Sequence, residues 1–236
     1  MIKTTLTKKP KNPIIIQGFP GFGLVSTIAT EFLIDHLKTE YIGSIRVDKM
    51  DPMVAIHEGK LVQPIGVHYN SQYNIIILHV ITNAKGFEWE LSQEILNIAK
   101  DLKAKEIISL EGVGNPDPAQ SRTFYYTNKH ENRKKCESIG VELLKEGIIL
   151  GVTGTLLIES EDMPVTCFFA DAHSQMPDSK AAAKIIEVLD KYLGLNVDYG
   201  PLVKQAEQFE DKVKTILSKT QQAADEQEKR RMDYIS

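Results

Sequence analysis

Apolar residues follow two rhythms along this chain. Ile14-Ile15-Ile16, Tyr73 to Ile81, Lys105-Glu106-Ile107-Ile108-Ser109-Leu110 and Val165-Thr166-Cys167-Phe168-Phe169-Ala170 are short, nearly unbroken runs, the pattern of strands buried on both faces of a parallel sheet. Between them the period lengthens. Leu24, Ile28, Phe32 and Ile34 to Leu37, then Glu88 to Ala99, then Ala182, Ile185, Ile186 and Leu189 to Leu193 carry apolar groups at helical spacing, which predicts helices. Pro177-Asp178 opens the last of these and Gly194 stops it. Strand, helix and strand at this spacing predict parallel crossovers, with the Tyr73–Ile81 strand beside the first one. Tyr41 to Val47 and Phe124 to Thr127 read as further strands and Glu131 to Ile139 as a helix. Met53 to His57 and Leu61 to Tyr69, joined through Glu58-Gly59-Lys60, read as a hairpin, inserted or at a sheet edge. The expected class is α/β.

Where apolar runs end, glycines begin. Gly18-Phe19-Pro20-Gly21-Phe22-Gly23 joins the first strand to the first helix, and the free N–H groups of such a helix start suit an anion. The run Gly21-x-Gly23-x-x-Ser26 departs from the dinucleotide fingerprint and lacks the Lys-Ser/Thr ending of a P-loop, so packing of strand against helix is the favoured reading. Ile148-Ile149-Leu150-Gly151-Val152-Thr153-Gly154-Thr155 repeats the theme of apolar stretch, glycine turn and helix. Gly112 to Gly114 follows a strand, and Asp171 and His173 stand at the end of another, where open α/β sheets place ligands. Gly21, Phe22, Gly23, Gly112, Gly114, Thr153, Gly154, Thr155 and Asp171 are therefore candidates to line one cleft, with amides and hydroxyls holding a phosphate or ribose, Asp171 as acid or base and His173 as an auxiliary group. Arg122 is the nearest basic residue to any of these turns, and no nucleophile constellation is visible. An ATP-dependent ligase would need a phosphate-gripping lysine and an acidic metal cluster that the sequence does not show.

Composition narrows the classes. The chain has 236 residues, 42% hydrophobic and 25% charged, with formal net charge -4, an ordinary globular balance that gives no reason to expect nucleic acid. The Arg133-Lys134-Lys135 run reads as a solvated helix face. Cys136 and Cys167 are far apart and form no CxxC or Cys/His pattern, which suits a reducing compartment and argues against zinc. The histidines show no metal-ligand spacing, and neither a metal nor a cofactor is expected. No apolar stretch approaches the ~20 residues that span a bilayer, and the polar start Met1-Ile2-Lys3-Thr4-Thr5 is not a secretory signal. A cytoplasmic protein is the expectation.

From Pro201 the character changes. Ala206, Phe209, Val213, Ile216, Thr220 and Ala223 step by threes and fours, an apolar seam that wants a partner; Phe209, Val213 and Ile216 are its strongest members. Asp225 to Arg231 is charged or Gln, after which Met232-Asp233-Tyr234-Ile235-Ser236 restores apolar groups, as a docking peptide would. The organisation expected is a domain over 1–199 and a C-terminal helix and tail over 200–236.

Taken in order, Gly18-Phe-Pro-Gly-Phe-Gly23, Lys105-Glu-Ile-Ile-Ser-Leu with its glycine loop, Gly151-Val-Thr-Gly154-Thr-Leu-Leu, the strand ending at Asp171, Pro177-Asp178-Ser-Lys-Ala-Ala and Leu193-Gly-Leu-Asn-Val-Asp198 resemble the PAC2 family, the proteasome assembly chaperone 2 family with its archaeal homologues. The likeness covers about Pro13 to Asp198. It implies a three-layer α/β/α fold with a mostly parallel sheet, similar to the nucleoside phosphorylase/hydrolase-like fold; homo-oligomerisation, as a trimer or tetramer; and binding to the 20S proteasome core particle or its α subunits. Some archaeal members use a C-terminal hydrophobic-Tyr-any tripeptide. Here Tyr234 is third from the end and Asp233 precedes it, so Tyr234, Ile235 and Ser236 are the residues able to carry that role. An enzyme or small-ligand binder of the phosphorylase type is the alternative the resemblance leaves.

Overall fold

The computed structural model describes residues 1–50, 52–57, 59–115, 122–172, 177–198, 200 and 215. Its elements are, in order, β1 (Ile2–Leu6), β2 (Ile14–Gly18), a 3-10 turn (Phe22–Leu24), α1 (Val25–His36), β3 (Glu40–Val47), β4 (Ala55–His57), β5 (Lys60–Val62), β6 (Ile65–Asn70), β7 (Ile75–Val80), α2 (Glu88–Leu102), β8 (Glu106–Gly114), β9 (Thr123–Thr127), α3 (His130–Ser138), β10 (Glu142–Leu143), α4 (Gly151–Glu159), β11 (Val165–Ala172) and α5 (Ser179–Leu193).

Among the described residues nine strands form one sheet in the order β1-β3-β6-β7-β2-β8-β11-β9-β10, and β4 and β5 pair separately. The expected β2 neighbour is correct: Ile14 to Gly18 run parallel to Ile75 to His79. The sheet is mixed rather than mostly parallel. β7, β2, β8 and β11 are parallel to one another, and β9 pairs parallel with β10, whereas β1–β3, β3–β6, β6–β7 and β9–β11 are antiparallel. The physical reason is connection length. Only a few residues separate β6 from β7, enough for a hairpin and too few for a crossover.

Alternation along the central strands builds two cores. Ile16, Ile75, Ile77, Ile108, Leu110, Phe168 and Ala170 pack beneath α1 and α5, while Ile15, Ile76, Leu78, Val80, Ile107, Val165, Cys167 and Phe169 pack beneath α2 and α4. Every residue of β7 and β11 is buried, which is why such runs read as continuously apolar. The result is helix, sheet and helix layers.

Two sequence expectations change, and two strands appear that the sequence did not mark. The Leu61–Tyr69 strand breaks at Gln63-Pro64, because proline cannot donate to a ladder; β5 stays in the small hairpin and β6 joins the main sheet. The apolar stretch Ile148 to Leu150 is not buried as a run, Ile148 being 90% and Leu150 78% exposed, and the helix expected after the glycine turn starts at once at Gly151, so Gly154 lies inside α4 rather than in a turn before it. β1 and β10, unmarked by any apolar run, exist through pairing at the sheet edges. The C-terminal helix expectation, with Phe209, Val213 and Ile216, lies outside the described residues, as do Tyr234, Ile235, Ser236 and His173. Among the described residues no helix is long and apolar enough to cross a membrane.

Candidate functional site

The carboxyl ends of β2, β8 and β11 gather the candidates, and their glycines divide between two faces of the sheet. On the α1 face they pack. A Cβ on Gly18 would lie 2.6 Å from the Ser26 carbonyl oxygen, and one on Gly112 only 2.0 Å from the Phe22 carbonyl oxygen. The Phe22 ring rests against Gly114, whose Cβ would stand 3.2 Å from Cζ. Gly23 takes φ +65, with Ala172 Cβ 2.8 Å from its missing Cβ, and its carbonyl accepts from the Asp178 amide. Asp178 in turn caps α5 by accepting from the Ala181 amide. Here the glycines let three backbone segments meet.

On the α2/α4 face the same strand ends carry polar side chains. Gln17 Nε2 donates to Ser109 Oγ at 2.6 Å and to Thr153 Oγ1 at 3.2 Å. Ser109 Oγ and Thr153 Oγ1 are 2.5 Å apart, and Thr153 donates to Glu111 Oε1. Since the Thr153 proton goes to Glu111, the Ser109 proton goes to Thr153. Gln17 is 1% exposed, Ser109 and Thr153 are fully buried, and Glu111 is half-buried. Burial pushes the Glu111 carboxyl up to about 7, against the hydrogen bond from Thr153, which lowers it. Gly21 faces this carboxylate: its Cβ would stand 3.2 Å from Glu111 Oε2.

Next along β11, Asp171 is 3% exposed and accepts from Asn115 Nδ2 at 3.0 Å and from the amide and Nε of Arg122, both at 3.2 Å. The Asp171 amide donates to the Arg122 carbonyl. Arg122 also stands over the Phe124 ring at 5.1 Å. The pair thus ties β11 to the start of β9. Thr155 turns away, its one hydroxyl proton within donating reach of the carbonyl oxygens of Glu88, Gly151 and Val152, and Gly154 is small because Ile149 O lies 2.6 Å from its missing Cβ. The structure therefore brings Gly21 and Thr153 together with Glu111, sets Asp171 on the same face, places Phe22, Gly23, Gly112 and Gly114 in the packing on the other, and turns Thr155 toward α2. Sequence reasoning did not select Gln17, Ser109 or Glu111. Their signal was present: polar residues at alternate positions near the ends of two strands otherwise built for burial.

A second buried constellation lies on the α1 face at the end of β7. His79 Nε2 meets Glu31 Oε2 at 2.9 Å and His79 Nδ1 meets Thr30 Oγ1 at 2.9 Å. Burial would raise the Glu31 carboxyl, and the charge and hydrogen bond of His79, with the charges of His57 and His68, together outweigh it and hold the carboxyl below its ordinary range. His68 is pushed down to about 4, first by burial and then by His79. Cys136 and Cys167 are both free and buried, with thiols raised by desolvation. Among the described residues no group of three or more His, Cys, Asp or Glu is arranged to hold a metal ion.

Comparison with known proteins places this geometry. Residues 15–217 match the model of the PAC2 family. A protein of Methanocaldococcus jannaschii is 30% identical over 208 residues, covering 87% of this chain and 86% of its own length. The crystal structure of Pyrococcus furiosus PbaA, described as an archaeal homolog of proteasome-assembly chaperone, superposes with a TM-score of 0.85 at 33% identity, covering 95% of this chain and 100% of that one. Pyrococcus furiosus PbaB, described as an archaeal proteasome activator, shares the fold with a TM-score of 0.76 at 22% identity, covering 91% of this chain and 98% of that one.

Proposed function

Because the chain belongs to the PAC2 family, we propose that it acts as an oligomeric proteasome-assembly-chaperone-like protein that binds proteasome core particles or their assembly intermediates. One observation carries the reading: the likeness to PbaA runs over nearly the whole of both chains at 33% identity, so the surfaces offered by the scaffold are compared entire rather than motif by motif. Residues 1–199 act as the scaffold, in the cytoplasm and as a homo-oligomer. Its layered architecture is akin to that of nucleoside phosphorylases, put to use for binding. The C-terminal segment reaches the partner. Phe209, Val213 and Ile216 supply an apolar helix face and Tyr234, Ile235 and Ser236 a terminal anchor.

The interaction reading is also supported by the engagement of the cleft candidates elsewhere. Phe22 fills the space over Gly112 and Gly114, Thr155 is satisfied by carbonyl oxygens, and Asp171 is held by Arg122 and Asn115. A phosphate would meet the Glu111 carboxyl beside Gly21. The test is retention of an archaeal 20S core particle, and of its α subunits alone, by the immobilised full chain and by a chain ending at Gly200. Binding by the full chain that disappears on truncation is the expected result. Failure of the full chain to retain either one overturns the reading.

A further inference from the structure

The Gln17-Ser109-Thr153-Glu111 chain has a donor deficit. Its protons are all committed: the two N–H of Gln17 go to Ser109 and Thr153, the Ser109 hydroxyl to Thr153 and the Thr153 hydroxyl to Glu111. Acceptors are left over. Gln17 Oε1 is buried with no hydrogen-bond partner among the described residues, and Glu111 Oε2 faces the bare Gly21. Turning the Gln17 amide over does not cure this, because it would orphan two N–H donors in place of one acceptor. A buried acceptor such as Gln17 Oε1 is rarely left unpaired.

The charge is unbalanced in the same direction. Among the described residues Glu111 has no salt bridge, whereas its neighbour Asp171, two positions beyond the Glu111 register partner Phe169, is neutralised by Arg122. Cys167, on the same face of β11, has its thiol held protonated by burial. The elements packed against this face carry charges of both signs, Glu88, Glu90 and Lys100 on α2 and Glu159 on α4, while the Arg122 guanidinium is taken up by Asp171. What Glu111 lacks is a counter-charge, and what Gln17 Oε1 lacks is an N–H donor.

We propose that this side-chain cluster binds a small primary ammonium group beside Gly21, whose N–H donors go to Glu111 Oε2 and toward Gln17 Oε1. The side-chain roles follow from the geometry. Glu111 supplies the counter-charge. Thr153, brought in by the first turn of α4, fixes the carboxylate orientation, and Ser109 with Gln17 holds Thr153. Gly21 keeps the entrance free of a side chain. A proton on Glu111 competes directly with the ligand, so affinity falls as pH drops below about 7, approaching tenfold per unit. Phosphate and other anions are excluded by the same carboxylate. This site is independent of proteasome binding and stands or falls separately.

Both a free amine and a lysine side chain present this group. The test is isothermal titration of the full chain at pH 8 and pH 6 with methylammonium and with Nα-acetyl-lysine amide, tetramethylammonium and sodium serving as controls without N–H donors. Saturable binding of either primary ammonium at pH 8, weakened at least about fivefold at pH 6 and absent from both controls, is expected; the tighter of the two ligands identifies the source. Glu111→Gln should abolish it. Gly21→Ala provides a second variant that the backbone accepts, since Gly21 has φ -139 and the added Cβ meets only Glu111 Oε2 and, at 3.9 Å, Phe19 O; it should weaken binding at least tenfold by occupying the seat. No binding at pH 8, equal binding of tetramethylammonium, or binding retained in both variants overturns the proposal.

Discussion

Thr153 on α4 donates its hydroxyl proton to Glu111 on β8, joining a helix start to the end of a central strand across the α2/α4 face. This contact is a polar link between the sheet and that helix layer, and it orients a carboxyl that burial raises to about 7.

That carboxyl makes stability depend on pH. Its folded value lies above the ordinary 4.5, so the native state holds the proton more tightly than the unfolded chain. The contribution is fully present below about 4.5 and is lost as pH rises through about 7. Discounted for partial exposure, it amounts to about 2 kcal/mol. Urea unfolding of the wild type at a series of pH values between 4.5 and 8 should show this decline, and Glu111→Gln should flatten it. An unchanged slope in the variant would assign the dependence to another group.

Glu31 acts with the opposite sign. His79 holds its carboxyl below the ordinary range, so its stabilisation is present above about 4.5 and lost as pH falls through the lowered folded value. Glu31→Gln should cost about 1–2 kcal/mol at pH 7, and the gap to wild type should close near pH 3. A constant gap across that range would contradict the ion pair.

Gly112 and Gly21 test the packing reading of the glycine turns. Gly112→Ala puts a methyl group 2.0 Å from the Phe22 carbonyl oxygen and should destabilise by at least ~3 kcal/mol or prevent folding. Gly21→Ala should change the thermal midpoint by little, about 1 kcal/mol at most. Circular dichroism melts of the two variants decide the point, and similar midpoints would refute it.

At the other end of β8, Glu106 accepts from Tyr192 Oη at 2.9 and 3.2 Å and from Asn132 Nδ2 at 2.7 Å, and burial raises its carboxyl despite these donors. Tyr192→Phe should cost about 1–2 kcal/mol and raise the Glu106 carboxyl further. Unfolding measurements at pH 5 and pH 8 should show the larger loss at pH 8, where the carboxylate misses its donor.

Deleting residues 232–236 addresses the tail alone. Retention of the core particle should fall to background while the melt of the domain stays unchanged, because these residues follow the scaffold in sequence. Undiminished retention would move the docking function to the preceding helix or to the domain.

The sequence by itself determined the central strands, four of the helices, the α/β class and the family. Unbroken runs such as Ile14 to Ile16 are intelligible only if both faces are covered, and Asp178 and Gly194 mark the ends of α5 through local backbone chemistry. Tertiary structure decided what depends on distant partners. β1 becomes a strand because β3 offers it a ladder, and the sheet is mixed because its outer strands return by short connections. Most of all, it decided which polar residue meets which. Gln17, Ser109, Glu111 and Thr153 come from three elements far apart in sequence, and a polar residue in a buried strand shows only that a partner is needed. The parallel register of β2 and β8 and the placement of α4 over them supply that partner, since a hydrogen bond needs atoms within about 3 Å and the pattern of apolar residues carries no such distance.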